Sequence, residues 1–150
     1  MVMKSRIILI ALYLMLAACG APESDPDTGL RAWVADAEVA AEEKDRSGLL
    51  AMISENYADS RGNDHKRIGD TLRVYFFRQQ SIALITSIDE ISMLGDTAAQ
   101  LEITVGMAGT NNSALGISAD AYQFELELEL VDEDWMLIGA RWGELGGKMR

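Results

Sequence analysis

Phe124-Glu125-Leu126-Glu127-Leu128-Glu129-Leu130-Val131-Asp132-Glu133-Asp134-Trp135-Met136-Leu137-Ile138-Gly139-Ala140-Arg141-Trp142 decides the fold. Apolar residues alternate with glutamates as far as Leu130, the period of a strand with one buried face. Three acidic residues interrupt the run, and a second apolar stretch follows, which predicts an antiparallel hairpin. With Asp132-Glu133-Asp134 as its loop, Val131 faces Trp135. Leu130 then meets Met136, Leu128 meets Ile138, Leu126 meets Ala140 and Phe124 meets Trp142, all on one face. A slip of one residue would turn the leucines outward, so the pattern favours this register. It sets Glu125 opposite Arg141 and leaves the glutamates at 125, 127 and 129 on an exposed face.

Two further strands precede this hairpin. Ile82, Leu84, Thr86 and Ile88 alternate with smaller or polar residues, and a turn at Gly95-Asp96 leads to Ala99, Leu101, Ile103, Val105 and Met107. Gly109 to Asp120 reads as a polar connection. Upstream the period is helical. Leu30, Trp33, Val34, Ala37 and Ala41 recur at three and four after a cap at Asp27 or Thr28; Ser47 opens a short helix through Leu49, Leu50, Met52 and Ile53. A turn-rich break, Tyr57 to His65, leads to a helix from about His65 to Gln79, capped by Asn63 or Asp64, with Ile68, Leu72, Tyr75, Phe76 and Gln79 on one face. Gly69 within it costs about 1 kcal/mol against alanine.

The start of the chain has a different character. Lys4 and Arg6 precede an uncharged run from Ile7 to Ala18 that ends in Leu16-Ala17-Ala18-Cys19-Gly20. The run is shorter than the roughly 20 residues of a membrane-spanning helix and is followed at once by Gly20 and Pro22. It resembles a bacterial lipoprotein signal peptide, residues 1–18. That resemblance implies cleavage before Cys19, acylation of its thiol and of the new amino terminus, and a place in the cell envelope; Gly20 after the cysteine implies the outer membrane, facing the periplasm. Residues 19–27, with both prolines, read as a flexible tether, 28–145 as one domain and 146–150 as a frayed tail.

Losing Lys4 and Arg6 from a chain of 13 cations and 24 acids leaves a net side-chain charge of −13. Such a balance disfavours nucleic acid, whose binding needs Lys and Arg at phosphates, and broad adhesion to anionic lipid. Cys19 is the only cysteine. With it acylated there is no disulfide, and packing alone must hold the domain.

Three helices followed by antiparallel strands, closing on Asp134-Trp135 to Trp142, resemble the nuclear transport factor 2-like superfamily, the cystatin-like α+β cone. Trp33 in the alanine-rich first helix, Leu50 to Tyr57, Ile68 to Phe76 and Phe124 to Leu130 carry the resemblance. It implies N-terminal helices packed in the concave face of a curved antiparallel sheet, with a pocket inside the cone. Enzymes of the superfamily use an acid-base pair there, while many other members only bind ligands or partners. Tyr57, Asp59 and His65 are the residues available for an acid-base pair; Trp33, Tyr57, Asp59, Tyr75 and Trp142 are the candidate pocket. None matches a family catalytic position, so the expected function is binding of a small apolar molecule or an envelope protein partner, with an isomerase- or dehydratase-like enzyme as the alternative. An assembly component would instead work through an exposed apolar patch outside the cone. Asp132 to Asp134 lack a calcium-loop pattern and read as a solvated turn, and no metal or cofactor is expected.

Overall fold

The computed structural model describes residues 25–111 and 117–150. The signal segment, Cys19 and the tether up to residue 24 lie outside the described residues.

Helix α1 (Pro26–Glu42) begins ahead of the expected Thr28 because Asp25, not Asp27 or Thr28, caps it, accepting a hydrogen bond from Asp27 N at 3.2 Å. Proline fits this first turn, where its missing N–H would have no helical partner. Helix α2 (Arg46–Ala51) is likewise capped earlier than the expected Ser47, by Asp45, which accepts from Gly48 N at 2.9 Å. Helix α3 (His65–Arg78) has the expected cap, Asp64, accepting from Arg67 N at 2.8 Å. Gly69 is buried in α3 because α2 needs the space: a Cβ there would lie 2.9 Å from an Arg46 guanidinium nitrogen. The Gly69 carbonyl accepts from Arg46 Nε at 2.7 Å.

Strands β1 (Gln79–Met93), β2 (Ala98–Asn111), β3 (Ile117–Val131) and β4 (Asp134–Glu144) form one antiparallel sheet in the order β1-β2-β3-β4. β2 runs further and β3 starts earlier than the alternation predicts: most of the span from Gly109 to Asp120 belongs to them, and Thr110 pairs with Ile117. Polar and small residues hide this extension: Gly109 is buried there without a side chain to mark it, and Ala108, Thr110, Ala119 and Asp120 add no apolar-polar contrast.

The expected β3–β4 register holds from Phe124–Trp142 to Glu127–Gly139 and fails nearer the turn. There Leu128 pairs with Leu137 and Leu130 with Trp135. The loop has two residues, Asp132 and Glu133, both at positive φ as a tight hairpin turn requires, and Asp134 belongs to β4. A bulge at Ile138 absorbs the difference. The cause is burial. Without the bulge, Trp135 and Leu137 could not face the same side as Ala140 and Trp142; with it, Trp135, Leu137 and Ala140 are all buried.

The concave face is a set of cross-strand rows. Met93, Ala99, Leu128 and Leu137 form one, Ile91, Leu101, Leu126 and Ala140 the next, then Ile88, Ile103, Phe124 and Trp142, then Thr86, Val105, Tyr122 and Glu144. Helix α1 lies against β1 and β4, placing Leu30 and Val34 on the core. Its start sits so close to Trp135 that a Cβ on Gly29 would be 3.1 Å from the indole nitrogen. Leu30, Leu101 and Leu128 are fully buried, each stabilising the fold by about 1.5–3 kcal/mol relative to exposure. The β4 edge is covered by the segment after α2, and on the β1 edge Glu42 Oε1 accepts from Leu84 N at 2.7 Å. The tail expected to fray returns to β4, where Trp142 and Arg150 exchange backbone hydrogen bonds of 3.2 Å.

Candidate functional site

The segment covering β4 carries Tyr57 and Asp59. Ser54 N donates to Leu137 O at 2.9 Å, Ala58 N to Ile138 O at 3.1 Å and Ser60 N to Ala140 O at 3.2 Å. These bonds drive Tyr57 into the core, and its hydroxyl donates to Asp59 Oδ2 at 3.3 Å. Asp59 accepts three more bonds: Arg61 N at 2.9 Å and Asn63 N at 2.8 Å on Oδ1, and Asn63 Nδ2 at 2.8 Å on Oδ2. The acceptor sites of both oxygens are thereby in use.

This arrangement fixes the protonation of both groups. Burial opposes the Asp59 charge, but the bonds from Asn63, Arg61 and Tyr57 together outweigh it and hold the carboxyl below its usual range. Tyr57 is pushed above the ordinary phenol value, first by burial and then by the charge and hydrogen bond of Asp59. A general base needs a free lone pair and a pKa near working pH. Asp59 has neither, so the pair brought together by sequence reasoning braces a turn.

The other expected site residues are dispersed. His65 Nε2 lies 3.3 Å from Leu50 O and its Nδ1 3.8 Å from Glu55 Oε2, so it ties the start of α3 to α2 and is only 19% exposed. Trp33 packs on the core and, with Trp135, Met52 and Asp36, lines a groove of about 420 Å³. Its indole N–H is buried without an acceptor among the described residues. Tyr75 lines a separate groove on α3 with Arg67, Val74 and Arg78. Trp142 stacks on Phe124, with ring centroids 6.4 Å apart, and the Arg61 guanidinium lies 4.3 Å from the centroid of its ring. Trp33 and Tyr75 thus line two different grooves.

Two residues absent from the sequence reading stand at the far end of the cone. Asp120 pairs with Met107 and Tyr122 with Val105, which puts both on the concave side. Burial raises the pKa of the Tyr75 hydroxyl, and Asp120 and Tyr122 raise it further, so α3 brings Tyr75 within electrostatic reach of both. The sequence gives little sign of them: Ser118 and Asp120 share the phase of Tyr122 and Phe124 but are polar, while Ile117, Ala119 and Ala121 fall in the opposite phase. Among the described residues no polar or charged side chain is fully buried.

A four-stranded antiparallel meander curved around three preceding helices, with aromatic residues at its open end, is the nuclear transport factor 2-like fold. The chain is similar to a candidate scytalone dehydratase from Novosphingobium aromaticivorans, at 12% identity and a TM-score of 0.73 over 81% of this chain and 84% of that one. A ketosteroid isomerase-like protein from Erwinia carotovora atroseptica matches at 12% identity and TM-score 0.64, over 78% of this chain and 94% of that one. A candidate dehydratase of the nuclear transport factor 2-like family from Streptomyces avermitilis matches at 10% identity and TM-score 0.67, over 79% and 98%. No protein-family model and no curated protein matches the sequence. At such identities the likeness is one of fold, and the chemistry must be argued from the side chains.

Proposed function

We propose that the chain is a lipid-anchored envelope protein whose domain binds a small apolar molecule at the open end of the cone without turning it over. The observation that carries this reading is the saturated Asp59 carboxylate, which removes the acid-base pair nearest the core. Met107, Tyr122, Phe124 and Trp142 are only partly buried, so this end offers apolar and aromatic surface to a ligand. The lipid anchor is supported by Leu16-Ala17-Ala18-Cys19 after a short uncharged run. Native mass spectrometry of the full chain, purified gently from its envelope, tests both parts. A diacyl or triacyl mass increment on Cys19 and a co-purifying molecule lost in Phe124→Ala support the proposal; an unmodified Cys19 and a ligand retained by Phe124→Ala would overturn it.

One observation favours a second reading, an isomerase- or dehydratase-like enzyme. Asp120 and Tyr122 share a face and act electrostatically on Tyr75, placing a carboxylate and two phenols at the open end. Unlike Asp59, Asp120 is exposed and no hydrogen bond from the described residues ties its carboxylate down. Incubation with a β,γ-unsaturated ketone, following absorbance of the conjugated product, decides between the readings. Turnover abolished by Asp120→Asn would establish the enzyme.

A further inference from the structure

The net charge of the chain conceals one basic surface. Helix α3 holds Lys66, Arg67, Arg73 and Arg78, four of the chain's 13 lysines and arginines, against one of its 24 acids, Asp70. All five charged residues are exposed. At 100° per residue, Lys66, Arg67, Asp70, Arg73, Val74, Phe77 and Arg78 fall on one side of the helix, opposite Ile68, Leu72, Tyr75 and Phe76. Asp70 is engaged by Lys66 at 3.1 Å, which leaves the three arginines to set the sign of the face. In their midst Phe77 is 90% exposed and Val74 49% exposed. The inner side packs on α2 and the start of β1.

We propose that this face of α3 lies on an anionic bilayer surface. Basic residues around an exposed aromatic, on a helix whose other side is buried in a domain, have the composition of an interfacial helix. Cationic side chains reach acidic headgroups while Phe77 and Val74 enter the boundary between headgroups and acyl chains. An acidic protein would satisfy the arginines but has no need of a protruding phenylalanine on a convex helix. The proposal rests on the lipid-anchor reading for one of its supports: Cys19 precedes the capping Asp25 by six residues, which span at most about 20 Å. An anchored domain therefore cannot leave the bilayer, and the strongly acidic remainder of the chain would turn α3 toward an anionic surface.

The test is hydrogen exchange of the full chain, as its host makes it, with neutral phosphatidylcholine vesicles and with vesicles containing one third phosphatidylglycerol. Flotation of the same samples reports attachment. The expected result is flotation with both, and at least fivefold slower exchange across residues 66–78 only on the anionic vesicles. That protection is lost in the Arg67→Gln/Arg73→Gln/Arg78→Gln variant, in Phe77→Ser and at 0.5 M salt, where screening shortens to a few ångströms. Flotation with both vesicles and equal exchange in α3 would overturn the docking and leave the anchor standing. Flotation with anionic vesicles alone would overturn the anchor and support the docking, and flotation with neither would overturn both. Protection by soluble polyglutamate that exceeds protection by anionic vesicles would assign the face to an acidic protein and overturn the bilayer proposal.

Discussion

The two ends of the cone are made from the same alternating strands and have opposite properties. At the end that holds the β1–β2 and β3–β4 turns, where α1 begins, Ala99, Leu101, Leu128, Trp135 and Leu137 are buried. At the other end, Met107, Tyr122, Phe124 and Trp142 stay partly exposed, and Asp120 and Glu144 occupy concave positions. The difference is made by what covers each end: α1 starts on Trp135, whereas α3 packs on α2 and β1 and leaves the far rows of β2–β4 less enclosed. Burial is thus deepest at one end, although Ile82, Ile103 and Val105 stay buried toward the other, and the available surface lies at that other end. A single β-strand serves both purposes because burial, not sequence alternation, sets the local cost of a polar group.

That division can be broken most severely at the closed end. Leu128→Asp would put an unpaired carboxylate at a fully buried position, and circular dichroism should show no cooperative thermal transition. Leu128→Ala at the closed end should cost about 2–5 kcal/mol in urea unfolding, while Met107→Ala at the open end should cost well under half as much. Equal losses would show that the two ends are packed alike. Asp59→Asn, between them, should destabilise the domain by about 1 kcal/mol at pH 7. Because the Asp59 pKa is lowered in the folded state, its contribution is present above the unfolded value near 3.9 and lost as pH falls through the folded one. The melting temperatures of wild type and variant should therefore converge below about pH 4. The smallest expected effect is a gain of about 0.5–1 kcal/mol for Glu133→Gly, since glycine suits the positive φ of 72° without a Cβ penalty.

The strands with leucine against glutamate were legible because water on one side and core on the other write a period of two into the sequence. The outer rows of β2 and β3 were not. Gly109 is buried but has no side chain to show it, and Thr110 and Asp120 stay within reach of water, so no contrast of leucine against glutamate marks them as strand. The same lack of contrast hid Asp120 and Tyr122 from the site. For Tyr57 and Asp59 the sequence leaves an acid-base pair and a plain turn carboxylate both open, and the hydrogen bonds from Arg61 and Asn63 show Asp59 holding the turn.

By itself the sequence determined the α+β class, the three helices, the order of four strands, the covalent opportunity at Cys19 and the acidic balance of the whole. These follow from local periodicity, capping chemistry and composition, which need no knowledge of distant residues. The tertiary structure decided the two-residue turn and the bulge at Ile138, the saturation of Asp59, the separation of Trp33 from Tyr75, and the exposure of Phe77 among arginines on α3. Each of these depends on which surfaces meet after folding, and burial is a property of the meeting.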